Sequence, residues 1–239
     1  MANELKNMME FKRQTDEAVD LYISGDIVSE SICKWFEEDT YPLEVRDMIK
    51  AADGRAINVH INSGGGSVFA GIAIYNMLKC YEGEVTTYID GMAASIASVI
   101  AMAADRIVMR TGSSLMVHKP SAVLIGAYNA DDLVKYADTL DEIQRCIMQV
   151  YMEKMRPEAS VEEIEELVNN ETWMTSEEAT KYFDIEEDRL EAVASVNSEF
   201  VDRYLKAPPQ YAQEPDTADE DKKVRNKMTF DFLSLGGKI

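Results

Sequence analysis

Between Ile61 and Asn76 the chain reads INSGGGSVFAGIAIYN, and this passage restricts the architecture around it. An alternating stretch, AINVHI from Ala56 to Ile61, runs into Gly64, Gly65 and Gly66, and then into an apolar segment of helical period. Glycine loses more conformational freedom on folding than any other residue, so three together need a compensating reason. Two reasons present themselves. One is a tight turn from strand to helix. The other is a bare backbone whose N–H groups a ligand or reacting atom must reach. A strand feeding a helix is the building unit of α/β proteins with helices covering a sheet.

The same alternation recurs along the chain. In VDLYISGD, Val19, Leu21 and Ile23 alternate with polar residues, which predicts a strand ending at Gly25. Residues 29–52 read as helical with an interruption near Pro42. SVFAGIAIYNMLKC reads as a helix whose apolar face is Val68, Ile72, Ile74, Tyr75 and Leu78. EVTTYI is the next strand. GMAASIASVIAMAA, from Gly91 to Ala104, reads as a turn at Gly91 and a buried helix of small residues, too short and alanine-rich to span a bilayer. RIVM and SLMVH are short strands. From Asn129 to Met155 a long helix is expected, capped by Asn129 and with Asp131 and Asp132 in its positive first turn. Roughly 26 residues would make it ~39 Å long, enough to project and pack against another subunit. Ser160–Glu163 and Thr175–Glu178 have the form of capping boxes.

These readings divide the chain into an N-terminal segment over 1–18, a folded domain over 19–205 and a flexible C-terminal tail over 206–239, rich in Pro, Gln and charge. The apolar end, MTFDFLSLGGKI, is either a frayed terminus or a docking segment. Charge narrows the partners. With 24 basic against 44 acidic residues the net charge is -20, which argues against nucleic acid and against an anionic membrane surface. Three widely spaced cysteines form neither a zinc pattern nor a disulfide framework, so a reducing compartment is expected. MANELKNMMEFKRQ has no apolar core of a signal peptide, and a cytoplasmic location is expected.

Few residues are equipped for chemistry. There are two histidines. His60 lies mid-strand among apolar neighbours and reads as structural. His118 ends a strand just before Lys119 and Pro120, where side chains project into clefts. Ser95, in GMAAS, stands where a helix begins. It is either a helix cap, which serine does well, or a nucleophile beside unpaired N–H groups at the positive helix end. It is not in a G-x-S-x-G elbow. Taken together, Ser95, His118 and the Gly64–Gly66 loop offer a nucleophile, a base and oxyanion donors, the three needs of a serine hydrolase.

With those pieces in place, the chain resembles the Clp protease proteolytic subunit family, the ClpP-like serine peptidases. INSGGGSVFAGIAIYN, GMAASIAS, LMVHKP and ETWMTSEEA are similar to four family segments, in order, from about Leu21 to Ile185. The resemblance implies a ClpP/crotonase-like fold of stacked ββα units with a protruding handle helix. It implies Ser95 as nucleophile, His118 as general base, and the backbone N–H groups of Gly66 and Ile96 as the oxyanion hole. On this reading a side chain at 66 would crowd the intermediate. The family has proline where Gly64 stands. The third catalytic position normally holds Asp and is Glu171 here, with Asn169 and Asn170 as neighbouring competitors and Lys119 as the base of a Ser–Lys variant.

The resemblance further implies a self-compartmentalising endopeptidase without cofactor or metal. It would form rings, heptameric and stackable into tetradecamers, and act on polypeptides. GAYNADDLVKYADTLDEI and ETWMT resemble the phage and prophage branch, which cuts scaffold or capsid precursors during head maturation. The housekeeping branch instead works with an ATPase unfoldase ring. Two other readings stand beside these: a crotonase-fold acyl-CoA enzyme, which would not need Ser95 and His118 as a pair, and a scaffold-associated protein with a vestigial site.

Overall fold

The computed structural model describes residues 18–191 together with Tyr204, Lys206 and Pro208. The expected N-terminal segment, apart from Ala18, and nearly all of the expected tail, including MTFDFLSLGGKI, lie outside the described residues.

The first strand, β1 (Ala18–Ile27), alternates as the sequence predicts but continues past Gly25, where its register with the next strand shifts. The helical expectation fails over residues 29–41. Only a short 3₁₀ turn forms there, at Ser31–Cys33. The buried Asp39 carboxylate accepts the N–H groups of Trp35 at 2.8 Å, Phe36 at 3.1 Å and Asp26 at 3.0 Å. Its side chain outcompetes the helical backbone bonds, as Asp does in turns. Helix α1 (Pro42–Ala52) begins at the proline, which suits a first helical position because its missing N–H would be unpaired there.

The glycine run does not end the strand. Strand β2 (Ala56–Gly66) continues through it with irregular register against both neighbouring strands, and α2 (Val68–Lys79) starts after Ser67, whose hydroxyl caps Ala70. Ile74, Tyr75 and Leu78 of the expected apolar face are buried, with Val68 and Ile72 packed against the core at its edge. Strand β3 (Val85–Ala94) corrects a second expectation. Gly91 makes no turn, and Gly91–Ala94 extend the strand instead of opening a helix. Helix α3 (Ile96–Ala101) takes only the centre of the small-residue run. The reason is tertiary. Met92, Ala93 and Ala94 are enclosed between β2 on one side and β5 (Ser114–Val117) on the other, with β4 (Arg106–Thr111) pairing the earlier half of β3.

Helix α4 (Ala130–Glu153) is the long helix foreseen, with 24 residues and a capping box between Asn129 and Asp132. That length is about 36 Å. Both remaining capping boxes form, at the starts of α5 (Val161–Asn169) and α6 (Ser176–Tyr182). Two further strands, β6 (Thr172–Thr175) and β7 (Glu186–Glu191), were not evident in the sequence.

The result is an α/β fold on a parallel-rich sheet. The order is β1-β2-β3-β4-β7, all parallel, and β3 splits so that its last residues pair β5, which in turn pairs β6 antiparallel. The core lies where α1, α2 and α3 cover this sheet, around Leu21, Ile23, Ile57, Ile61, Ile74 and Ile89. The candidate residues gather at the split, where β2, β3 and β5 end and β6 begins.

Candidate active site

Strand register assembles the site. Ala94 is the last residue of β3 and pairs Met116 of β5. The next residue, Ser95, donates its N–H to Met116 O at 3.0 Å. Two positions on from Met116, just past the end of β5, stands His118, and Ser95 Oγ lies 2.7 Å from His118 Nε2. Val117 pairs Thr172 of the antiparallel β6, so one further step of register sets His118 opposite Glu171.

Ser95 is not a cap in the usual sense. Its side chain makes no capping bond to α3, and its backbone sits at φ 56° and ψ −127°. A non-glycine residue there is strained, by about 1–3 kcal/mol, and such strain clusters at functional sites. The carbonyl of Ser95 accepts from Ser98 Oγ at 2.5 Å, and Ser98 Oγ lies 2.7 Å from the hydroxyl of the fully buried Tyr151. The turn that aims Ser95 is therefore tied to α4. Burial pushes the Tyr151 hydroxyl pKa far above its ordinary value, so it stays neutral.

His118 is partly enclosed. Burial lowers its pKa below 6.5, and the negative charge of Glu171 opposes that by raising it. An imidazole in this setting is neutral at pH 7 and can accept a proton. Glu171 itself has φ 49°, a left-handed backbone two residues beyond the last residue of α5. Among the described residues no hydrogen bond joins its carboxylate to the His118 ring. Its Oε1 accepts the backbone N–H of Lys206 at 2.6 Å instead.

The glycines divide their work differently from the sequence expectation. A Cβ at Gly66 would stand 2.2 Å from Ile27 O, so what excludes a side chain at 66 is strand β1. It is Gly65, at φ 99°, that faces the serine: a Cβ there would lie 2.8 Å from Ser95 Cβ. Ile96 opens α3, where first-turn N–H groups have no intrahelical partner. It packs so closely on α2 that a Cβ at Gly71 would meet Ile96 Cγ1 at 2.2 Å.

The other candidates fall elsewhere. His60 stacks between Tyr22 and Tyr88, at ring-centroid distances of 4.8 Å and 5.2 Å, with Nδ1 2.7 Å from Asp90 Oδ2. Arg110 Nε donates to the same carboxylate at 2.7 Å, so His60 belongs to a polar ladder across β1, β2 and β3. Lys119 is exposed, and the Asn170 carbonyl accepts from the Lys206 ammonium. Among the described residues no group of three or more His, Cys, Asp or Glu could hold a metal ion, and no helix is long and apolar enough to cross a membrane. Sequence reasoning passed over Ser98, Tyr151, Trp173 and Tyr204. Only Tyr151 had a signal, four residues beyond Ile147 on the apolar stripe of α4.

Comparison with known proteins bears on the family and the fold. The sequence profile of the Clp protease family matches residues 43–186. The ATP-dependent Clp protease proteolytic subunit 1 of Chlamydia abortus is 31% identical over 187 residues, covering 75% of this chain and 90% of its own. Proteolytic subunit 3 of Rhodococcus jostii is 35% identical over 139 residues, 56% of this chain and 66% of its own. A solved structure of a ClpP1 mutant from Listeria monocytogenes superposes with a TM-score of 0.58 at 20% identity, covering 72% of this chain and 91% of that one. That likeness establishes the fold.

Proposed function

Because this chain belongs to the Clp protease family, we propose that it is a self-compartmentalising serine endopeptidase working in the cytoplasm, with Ser95 as nucleophile and His118 as general base. The observation that carries this reading is the 2.7 Å contact between Ser95 Oγ and His118 Nε2, held at a strained turn. With its proton on Nδ1, neutral His118 accepts the serine hydroxyl proton as Oγ attacks the peptide carbonyl. The N–H groups of Gly66 and Ile96 take the oxyanion. The tetrahedral intermediate collapses as His118 returns the proton to the leaving amine, leaving an acyl-enzyme that water hydrolyses by the reverse proton path. Glu171 is the third member. Its charge favours the imidazolium formed during the reaction, opposing the burial that lowers the His118 pKa.

Rings are the proposed assembly, heptameric and stacked into tetradecamers through α4. Support comes from α4 itself. Its only buried residues are Ile147, Met148 and Tyr151, while Leu133 and Val134 near its start are 50% and 59% exposed. The segments GAYNADDLVKYADTLDEI and ETWMT favour the head-maturation branch, with a capsid or scaffold precursor as substrate, over partnership with an ATPase unfoldase. The acyl-CoA alternative has no use for a serine hydrogen-bonded to an imidazole, and the Ser95–His118 contact speaks against it.

The test is fluorophosphonate labelling of the purified protein, with the modified residue located by peptide mass spectrometry. Labelling at Ser95 that disappears in His118→Ala is expected. Assembled rings that never label would overturn the peptidase reading and raise the vestigial one.

A further inference from the structure

The chain returns to its own site near the C-terminus. The Tyr204 ring packs on the small apolar cluster of Met92, Ala94 and Met116, with Trp173 beside it at 6.0 Å between ring centroids. It meets the His118 ring edge-on at 5.1 Å. Its hydroxyl donates to the carbonyl of Gly64. Two residues later, the Lys206 N–H donates to Glu171 Oε1 at 2.6 Å and the Lys206 ammonium to the Asn170 carbonyl. A Cβ at Gly65 would stand 2.8 Å from Ser95 Cβ and 3.2 Å from the Tyr204 hydroxyl oxygen, so that hydroxyl reaches the edge of the nucleophile's own surroundings. One short segment thus touches the base, the acid and the glycine loop together.

Each contact has a physical cause. An aromatic ring fills an apolar recess lined by methionines and an indole, and aromatic pairs of this kind add about 0.5–1.5 kcal/mol beyond burial. A backbone N–H gives a carboxylate a charge-assisted hydrogen bond, stronger than a neutral one. The tie to Glu171 also engages one oxygen of the carboxylate whose charge acts on His118.

We propose that the segment carrying Tyr204 and Lys206 is an intramolecular ligand of the catalytic recess. Tyr204 fills a subsite for an aromatic side chain, Lys206 occupies Glu171, and the chain folded this way is the closed form. A substrate peptide with an aromatic residue competes for the same recess, and release or removal of the segment opens it. The inhibitory consequence rests on the serine-peptidase reading; the docking of the segment does not.

Two readouts separate those parts. In a Trp35→Phe background the only tryptophan is Trp173, whose emission reports whether the recess is covered. The full chain, Tyr204→Ala, Lys206→Pro and a chain ending at residue 203 are compared. Lys206→Pro removes the N–H that reaches Glu171. Loss of Tyr204 is expected to red-shift Trp173 emission and raise its quenching by acrylamide. Fluorophosphonate labelling of Ser95 should speed up by about tenfold, the factor for a site closed in about nine-tenths of molecules. A synthetic peptide of residues 201–208 added to the shortened chain should restore protection and slow labelling. Equal Trp173 quenching in all forms overturns the docking. Equal labelling rates with Trp173 uncovered overturn the inhibition. Trp173 uncovered with no labelling in any form leaves the docked segment in place and overturns the peptidase reading alone.

Discussion

As the proposed nucleophile, Ser95 would act through its strained backbone as much as through its hydroxyl. A residue held at φ 56° between a strand and a helix points its side chain out of both, toward His118. Alanine keeps the backbone but loses the proposed nucleophile, so Ser95→Ala is expected to lower peptide turnover by on the order of 10⁶-fold while the proposed assembly, followed by light scattering, is unchanged. As the proposed base His118 must be neutral to act, and burial lowers its pKa below the ordinary imidazole value. The acid limb of a kcat/KM profile is therefore expected to have its midpoint below that of a free imidazole. Glu171→Gln removes the charge that raises the His118 pKa, so the acid limb should move to still lower pH. Turnover should fall by about 10²-fold, as for a misplaced catalytic partner. Glu171 also sits in left-handed backbone where glycine is at ease. Glu171→Gly relieves that backbone by about 1 kcal/mol but deletes the carboxylate that accepts from Lys206 and adds chain entropy to the unfolded state, so little net change in urea stability is expected while activity is lost.

Helix α4 joins the site to the surroundings of the subunit. At its C-terminal end Tyr151 is fully buried and reaches Ser98, which holds the Ser95 carbonyl. Tyr151→Phe keeps the ring and deletes one buried hydrogen bond, so a loss of about 1 kcal/mol is expected on denaturation, with slower labelling at Ser95 as the turn loosens. At its N-terminal end α4 offers Leu133 and Val134 to whatever covers it. Leu133→Glu should shift the assembly toward smaller species in sedimentation velocity, and an unchanged distribution would place the subunit contacts on another element.

For the molecule as a whole, the charge of -20 sets the conditions under which copies meet. Like-charged subunits repel, and the Debye length falls from about 30 Å to about 10 Å between about 0.01 M and about 0.1 M salt. Association is therefore expected to strengthen with ionic strength over that range, the opposite of a complex held by surface salt bridges.

Short-range chemistry was readable from the residues alone: alternation in β1, the Asn129, Ser160 and Thr175 caps, and the length of α4. Each depends on neighbours within a few positions, which a sequence displays directly. Ser95 and His118 stood out by their separate motifs, and the register of β3 against β5 brings them together. Other features depend on contacts between distant segments. Gly91–Ala94 form strand because β2 and β5 enclose them. Residues 29–41 leave the helix because Asp39 captures their N–H groups. Gly66 lacks a side chain because Ile27 lies against it, and Gly65 is the glycine that faces Ser95. Trp173 and Tyr204 carried no local signal, since the recess they share exists only after β3, β5 and β6 have paired. Spacing along a chain records period and capping; which backbone lies 2.2 Å from a given glycine is settled only when the sheet closes.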